Sequence, residues 1–279
     1  MPVDINHKFM QTDEPVFKNL GFWRVVAASV LGKSHEKVKQ LCQDAHHWEL
    51  LSEGVLVAAV ADGAGSASLG KIGAIVASQT AVETIRLQYG TMESVVNRID
   101  DEEDDQKWQL LLTNALEAAR KAVEEEAIAC KVTSRELAST LIIVVATPNL
   151  IAAVQVGDGV AVGCDRTGNI IALTAPQRGE YVNETIFLVS PNALENIQVN
   201  VWRGVVANIA MLSDGLQMLA LEMNGSKPHA PFFSPMFQFV ADVTDERDAQ
   251  EQLVAFLRSE RISTRTDDDL TLLLATIVN

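Results

Sequence analysis

Seven apolar residues in a row, Val55 to Ala61, stop abruptly at Asp62-Gly63. A run of that length is too short to cross a membrane and fits a strand buried on both faces. A Gly- and Ser-rich turn, Ala64 to Gly70, then leads into a helix-period pattern. A carboxylate at the mouth of a buried strand is held rigidly yet stays accessible. Gly63 has no Cβ, so the chain can turn sharply there and a ligand can approach its carbonyl. Taken alone, the stretch reads equally well as an ordinary strand–turn–helix with Asp62 as a turn former.

Recurrence changes that balance. Val156-Gly157-Asp158-Gly159 and Leu212-Ser213-Asp214-Gly215 each follow another apolar run, and Asp267-Asp268-Asp269 precedes a fourth, Leu270 to Val278. Carboxylates gathered without His or Cys partners select hard cations, magnesium or manganese. Left uncompensated they repel one another and take up protons. Two ions sharing Asp62 would bind a bridging water and lower its pKa, which is the machinery of hydrolytic phosphoryl transfer. The chain has no GxSxG elbow, Walker A sequence, HExxH or Rossmann fingerprint after a strand.

Thr140 to Thr147 and Ile151 to Val156 are joined only by Pro148-Asn149, too short for a helical crossover, so the two strands are antiparallel. Both are apolar on both faces. An antiparallel sheet covered on each side implies two stacked sheets with helices outside them, an α+β fold. Phe22 to Leu31, a region opening at His46-His47-Trp48, Val160 to Cys164, Ile170 to Leu173, Glu184 to Val189 and Val205 to Leu212 read as further strands. Helices are expected after Gly70, across Trp108 to Val123 and around Asp245 to Arg258, with Pro228 to Phe239 as an aromatic loop. The acidic tract Asp100 to Asp105 lacks the Gly and terminal Glu of a calcium loop and reads as a solvated connection. With no repeat or linker, residues 1–279 read as one domain with residues 1–20 as an N-terminal arm.

The formal charge of −15 argues against nucleic acid or an anionic membrane as primary partner, both being polyanions. Cys42, Cys130 and Cys164 are scattered and odd in number, which suits reduced thiols and supplies no zinc motif. The acidic N-terminus lacks the apolar core of a signal peptide. A cytoplasmic protein, monomeric, is expected.

In order along the chain stand CQDA (Cys42 to Ala45), ADGAGS (Ala61 to Ser66), ASTL (Ala138 to Leu141), VGDG (Val156 to Gly159), LSDG (Leu212 to Gly215) and DDLT (Asp268 to Thr271). Together these blocks resemble the metal-dependent, type-2C serine/threonine protein phosphatases. The pieces GKSH, GEYVNET and the FF…F segment resemble a bacterial subgroup. The resemblance implies an αββα sandwich and metal-dependent hydrolysis of phosphoserine and phosphothreonine in proteins, including targets of Ser/Thr kinases. It also implies that Asp62, Asp214 and Asp268 hold one Mg²⁺ or Mn²⁺, and that Asp62 and the Gly63 carbonyl hold a second, with Asp44 direct or through water. Asp158 matches the position serving a third, weaker ion in some members.

Several positions depart from the family pattern. Lys39 stands where an Arg commonly grips substrate phosphate, a point charge without the bidentate fork. Ala64 replaces a His that some members use as general acid, Gly159-Val160 replaces Ser-Arg, and Asp269 stands where Asn is usual. His35, on the same loop as Lys39, is a second candidate for the phosphate contact. The alternative to an active enzyme is a catalytically weak or inactive pseudophosphatase of the same fold that binds phosphoprotein.

Overall fold

A computed structural model describes residues 23–51, 54–96, 102–177, 185–222 and 227–278. The elements run β1 (Trp23–Val30), α1 (Lys33–Lys37), β2 (Ala45–Leu50), β3 (Leu56–Ala61), α2 (Gly70–Val96), α3 (Glu102–Cys130), β4 (Leu141–Thr147) and β5 (Leu150–Val156). They continue as β6 (Val160–Asp165), β7 (Ile170–Ala172), β8 (Gln198–Arg203), β9 (Val206–Leu212), α4 (Gln217–Ala220), α5 (Ala230–Ala241), α6 (Glu246–Leu257), α7 (Glu260–Ser263) and β10 (Leu270–Ile277).

The strands form two five-stranded antiparallel sheets, ordered β1-β10-β9-β6-β7 and β2-β3-β4-β5-β8. Side-chain alternation divides each central strand between two cores. On β3, Leu56, Ala58 and Val60 face the other sheet and, with Ile142 and Val144 of the adjacent β4, share a core with Met211 and Leu273 from across the sandwich. Val57, Ala59 and Ala61 face α2 and α3, in a core with Val82, Ile85, Leu112 and Leu116. The first sheet is covered in the same way by Phe233, Phe237, Leu253 and Leu257 of α5 and α6. This is the αββα sandwich, and it explains why the central strands carry no polar face: each buries both.

Most expected elements are present, with β4 and β5 a hairpin across Pro148-Asn149. Three expectations need correction. Residues 228–239 are not a loop: α5 occupies most of them, because Pro231 sits in its first turn, where a missing N–H costs nothing. Phe233, Phe237 and Val240 then recur at helical spacing on the buried face. Residues 185–189 form no strand; the missed strand is β8, an edge strand pairing only with β5. The acidic tract is not all connector, since α3 begins at Glu102. The N-terminal arm and most of GEYVNET lie outside the described residues. Among the described residues no helix is long and apolar enough to cross a membrane.

Candidate metal centre

Register gathers the aspartates at one end of the sandwich. Ala45 pairs with Ala61, so Asp44 enters β2 beside the point where Asp62 leaves β3. Val160 pairs with Leu212, which brings the β5–β6 turn carrying Asp158 next to Asp214 at the end of β9. Leu272 of β10 also pairs with Leu212, so Asp268 and Asp269 start their strand at the same mouth.

Around this mouth backbone packs on backbone. Thr140 receives a hydrogen bond from the Asp62 N–H on its hydroxyl (3.0 Å) and donates its own N–H to the Asp62 carbonyl (2.8 Å). Gly63 is needed for close packing and not for a left-handed turn: a Cβ there would lie 2.5 Å from the Gly70 carbonyl carbon and 2.9 Å from the Gln43 oxygen. With its nitrogen facing the two carbonyls, the Gln43 amide donates to the oxygens of Gly63 and Ala64 at 3.0 Å each. Gly157 does require the left-handed region, with φ of 108°.

Within this frame the carboxylates are under electrostatic load. Burial pushes Asp44 up to about 7, opposed mainly by the Ser213 hydroxyl, which donates to its Oδ2 at 2.7 Å. Burial, followed by the charges of Asp44 and Asp214, raises Asp62 well above the carboxylate range. Asp214 rises to about 6 through burial and the charges of Asp158 and Asp268. Asp158 is also raised by burial, with the Thr185 hydroxyl donating to it at 2.7 Å in partial compensation. Asp62 interacts with both Asp44 and Asp214, so like charges are crowded at one point. Asp44 Oδ1 and Asp214 Oδ1 are buried with no hydrogen-bond partner among the described residues.

Asp269 is buried beside this cluster and behaves differently. Its Oδ1 accepts the Gly32 N–H at 2.7 Å, and its Oδ2 accepts the Gln43 N–H at 2.6 Å and the His35 Nδ1 bond at 2.8 Å. One carboxylate thereby ties both ends of the 32–43 loop to the start of β10.

The match to known proteins is decided by a family model. The model described as Protein phosphatase 2C matches residues 31–258. The chain belongs to the protein phosphatase 2C family. It is 34% identical over 259 residues to Serine/threonine-protein phosphatase 3 of Escherichia coli, covering 91% of this chain and 98% of that one. Among solved structures, a serine/threonine phosphatase from Staphylococcus aureus superposes with a TM-score of 0.61 at 13% identity, over 95% of this chain and 100% of its own. PppA of Pseudomonas aeruginosa, described as a key regulatory component of T6SS, gives 0.58 at 19% identity, over 92% and 99%. At those identities the two structures attest the fold.

Asp44, Asp62, Asp158 and Asp214 interact with one another, and Asp268, which is exposed, adds its charge to the same group. Among the described residues, no three His, Cys, Asp or Glu side chains are already drawn together as a metal-holding set. Lys39 is exposed, sits in the left-handed region (φ 59°) just after α1, and has no side-chain partner among the described residues. His35 is turned inward onto Asp269.

Sequence reasoning missed the residues that hold the acids in place. The Ser213 hydroxyl that holds Asp44 accepts the Thr271 N–H at 2.9 Å; the Thr271 hydroxyl lies 2.6 Å from Ser29 Oγ, which lies 2.9 Å from His46 Nδ1. Ser213 sits in the LSDG block and Thr271 in DDLT, so the motifs contained both without assigning them work. Ser29 and His46 carried no such signal.

Proposed function

We propose that this phosphatase 2C member hydrolyses phosphoserine and phosphothreonine in proteins with the help of two divalent ions, Mg²⁺ or Mn²⁺. The observation that carries this is the pair of buried, unpartnered carboxylate oxygens on Asp44 and Asp214, beside an Asp62 already crowded by like charge. Such oxygens are hard donors, and a cation relieves both their missing partners and their repulsion. Asp62, Asp214 and Asp268 would hold one ion; Asp62 and the Gly63 carbonyl, with Asp44, the second; Asp158 a third. Bound there, the ions supply charge neutralisation for phosphate and activation of water.

The chain's own groups do the rest. Thr140 fixes the Asp62 backbone, while Ser213, itself held by the Thr271 N–H, orients Asp44. For the Gly63 carbonyl to serve a cation it must share its oxygen with the Gln43 amide, which a carbonyl's second lone pair permits. Of the two candidate phosphate contacts, Lys39 is exposed and free to meet the phosphate, whereas His35 is held on Asp269. The same proposal covers residues 1–279 as one domain, acting as a cytoplasmic monomer on targets of Ser/Thr kinases.

A panel of phosphoserine and phosphothreonine peptides assayed with manganese, with magnesium and with chelator tests this. Cation-dependent phosphate release is expected. Peptide binding without release would instead establish the pseudophosphatase reading, and neither binding nor release would overturn both.

A further inference from the structure

The family pattern leaves one catalytic task unassigned, because Ala64 stands where some members carry a general acid. A phosphoserine or phosphothreonine leaves as an alkoxide, which is a poor leaving group unless it is protonated as the P–O bond breaks. A candidate donor must be an ionisable side chain held rigidly, with a free proton-bearing atom on the side of the aspartate cluster.

His35 is held in that way, and its free nitrogen faces the turn that follows Asp62. It lies on α1, a single turn stapled to the 263–269 segment on three points: Ser34 N–H and Ser34 Oγ bond the Asp267 carbonyl at 2.8 and 2.7 Å, and Lys33 Nζ bonds the Ser263 carbonyl at 2.6 Å. Its Nδ1 is fixed at 2.8 Å on Asp269 Oδ2, and the pair is enclosed, with 12% and 2% of the two side chains exposed. Asp269 is itself immobilised by Gly32 and Gln43, the latter adjoining Asp44. The other ring nitrogen, Nε2, has no partner among the described residues and faces the Gly-rich turn, 3.9 Å from where a Cβ on Gly65 would lie. Gly65 is three residues beyond Asp62. A carboxylate on Nδ1 fixes the orientation of the ring and leaves Nε2–H as the deliverable proton.

We propose that His35, oriented by Asp269, is the proton donor to the departing side-chain oxygen of the substrate. This deepens the phosphatase reading above and rests on it. Water's oxygen forms the new bond to phosphorus. The bond from phosphorus to the serine or threonine oxygen breaks, and its electron pair stays on that oxygen, which takes the proton from Nε2. The ring, now neutral, is reprotonated from solvent by the proton that the attacking water gave up. Asp269 exchanges no proton in the step and acts as a positioning residue.

His35→Asn isolates the role. Its amide nitrogen replaces Nδ1 on Asp269, and nothing replaces Nε2. Two substrates are compared: a phosphoserine peptide, whose alkoxide needs a proton, and 2,4-dinitrophenyl phosphate, whose phenolate does not. The expected result is a fall of about 100-fold or more in kcat on the peptide, in the range of general-acid contributions, exceeding the loss on the aryl ester by at least about tenfold. Equal losses on both substrates, or a change confined to KM, would assign His35 to phosphate binding or to loop structure and overturn the proposal. A wild type that hydrolyses neither substrate overturns the phosphatase reading and this one with it. If the variant does not fold, the wild type alone decides. Across phosphate esters from dinitrophenyl to alkyl, a shallow dependence of kcat on leaving-group basicity is expected, and a steep one contradicts the assignment.

Discussion

Asp44 and Asp269 stand at the same end of the sandwich, with 4% and 2% of their surface exposed, and yet do opposite things. Asp269 has both oxygens occupied, by two backbone N–H groups and a histidine. Asp44 has a hydroxyl on one oxygen, no donor on the other, and a second carboxyl beside it. Burial alone is therefore uninformative about a carboxylate's role. A buried carboxylate with a full set of donors is a fastener, because hydrogen bonds to the charged form replace water. One without them is costly to keep ionised, and that cost is what a cation removes.

The contrast can be broken at either carboxylate. On the uncompensated side, Asp62→Asn and Asp214→Asn each keep the side-chain volume and remove a charge. Each is expected to lower phosphopeptide kcat by about 10³-fold or more while the far-ultraviolet spectrum stays native; near wild-type turnover in either would detach these aspartates from the chemistry. On the fastened side, Asp269→Ala strands three donors, two of them backbone. Leaving that many groups unmet is expected to cost about 3 kcal/mol or more in chemical denaturation. The loss should be the same with or without divalent cation, and a loss that saturating manganese restores would make Asp269 part of the metal cluster. The smallest effect is expected at Lys39, exposed and without a side-chain partner among the described residues. Lys39→Ala should raise KM for a generic phosphate ester by about threefold or less, with the difference vanishing at high salt, as for a screened point charge. A tenfold rise would restore Lys39 as the main phosphate contact.

Much of this was legible in the residues themselves. Val55 to Ala61 has no polar face because β3 has none to show, and Pro148-Asn149 is short enough to force a hairpin. The strand-end aspartates announced themselves by repetition. What stayed hidden has a common physical cause. β8 is an edge strand, half exposed, so its sequence QVNVWR shows no continuous apolar run. Helix α5 is written with two prolines that local rules read as loop, and only its packing against the first sheet reveals Phe233 and Phe237 as one face. The clamp on Asp269 spans 226 to 237 residues along the chain. Neither composition nor periodicity encodes a bond of that reach, so the third aspartate of Asp267-Asp268-Asp269 looked like its neighbours.

The central claim is that the strand-mouth cluster is a cation site, and thermal unfolding across pH tests it most directly. Asp44 and Asp214 have folded-state pKa values raised from 3.8 to about 7 and about 6. The stability they contribute is complete below the unfolded value and is lost as pH rises through the folded ones. In chelator, the melting temperature of the wild type should therefore fall between about pH 4 and about pH 7 more steeply than that of Asp62→Asn, in which the cluster carries one charge fewer. Saturating manganese should raise the wild-type melting temperature, most of all at the alkaline end, and should do much less for the variant. A wild type whose melting temperature is indifferent to manganese at about pH 8, or that responds no more than Asp62→Asn, would contradict the account.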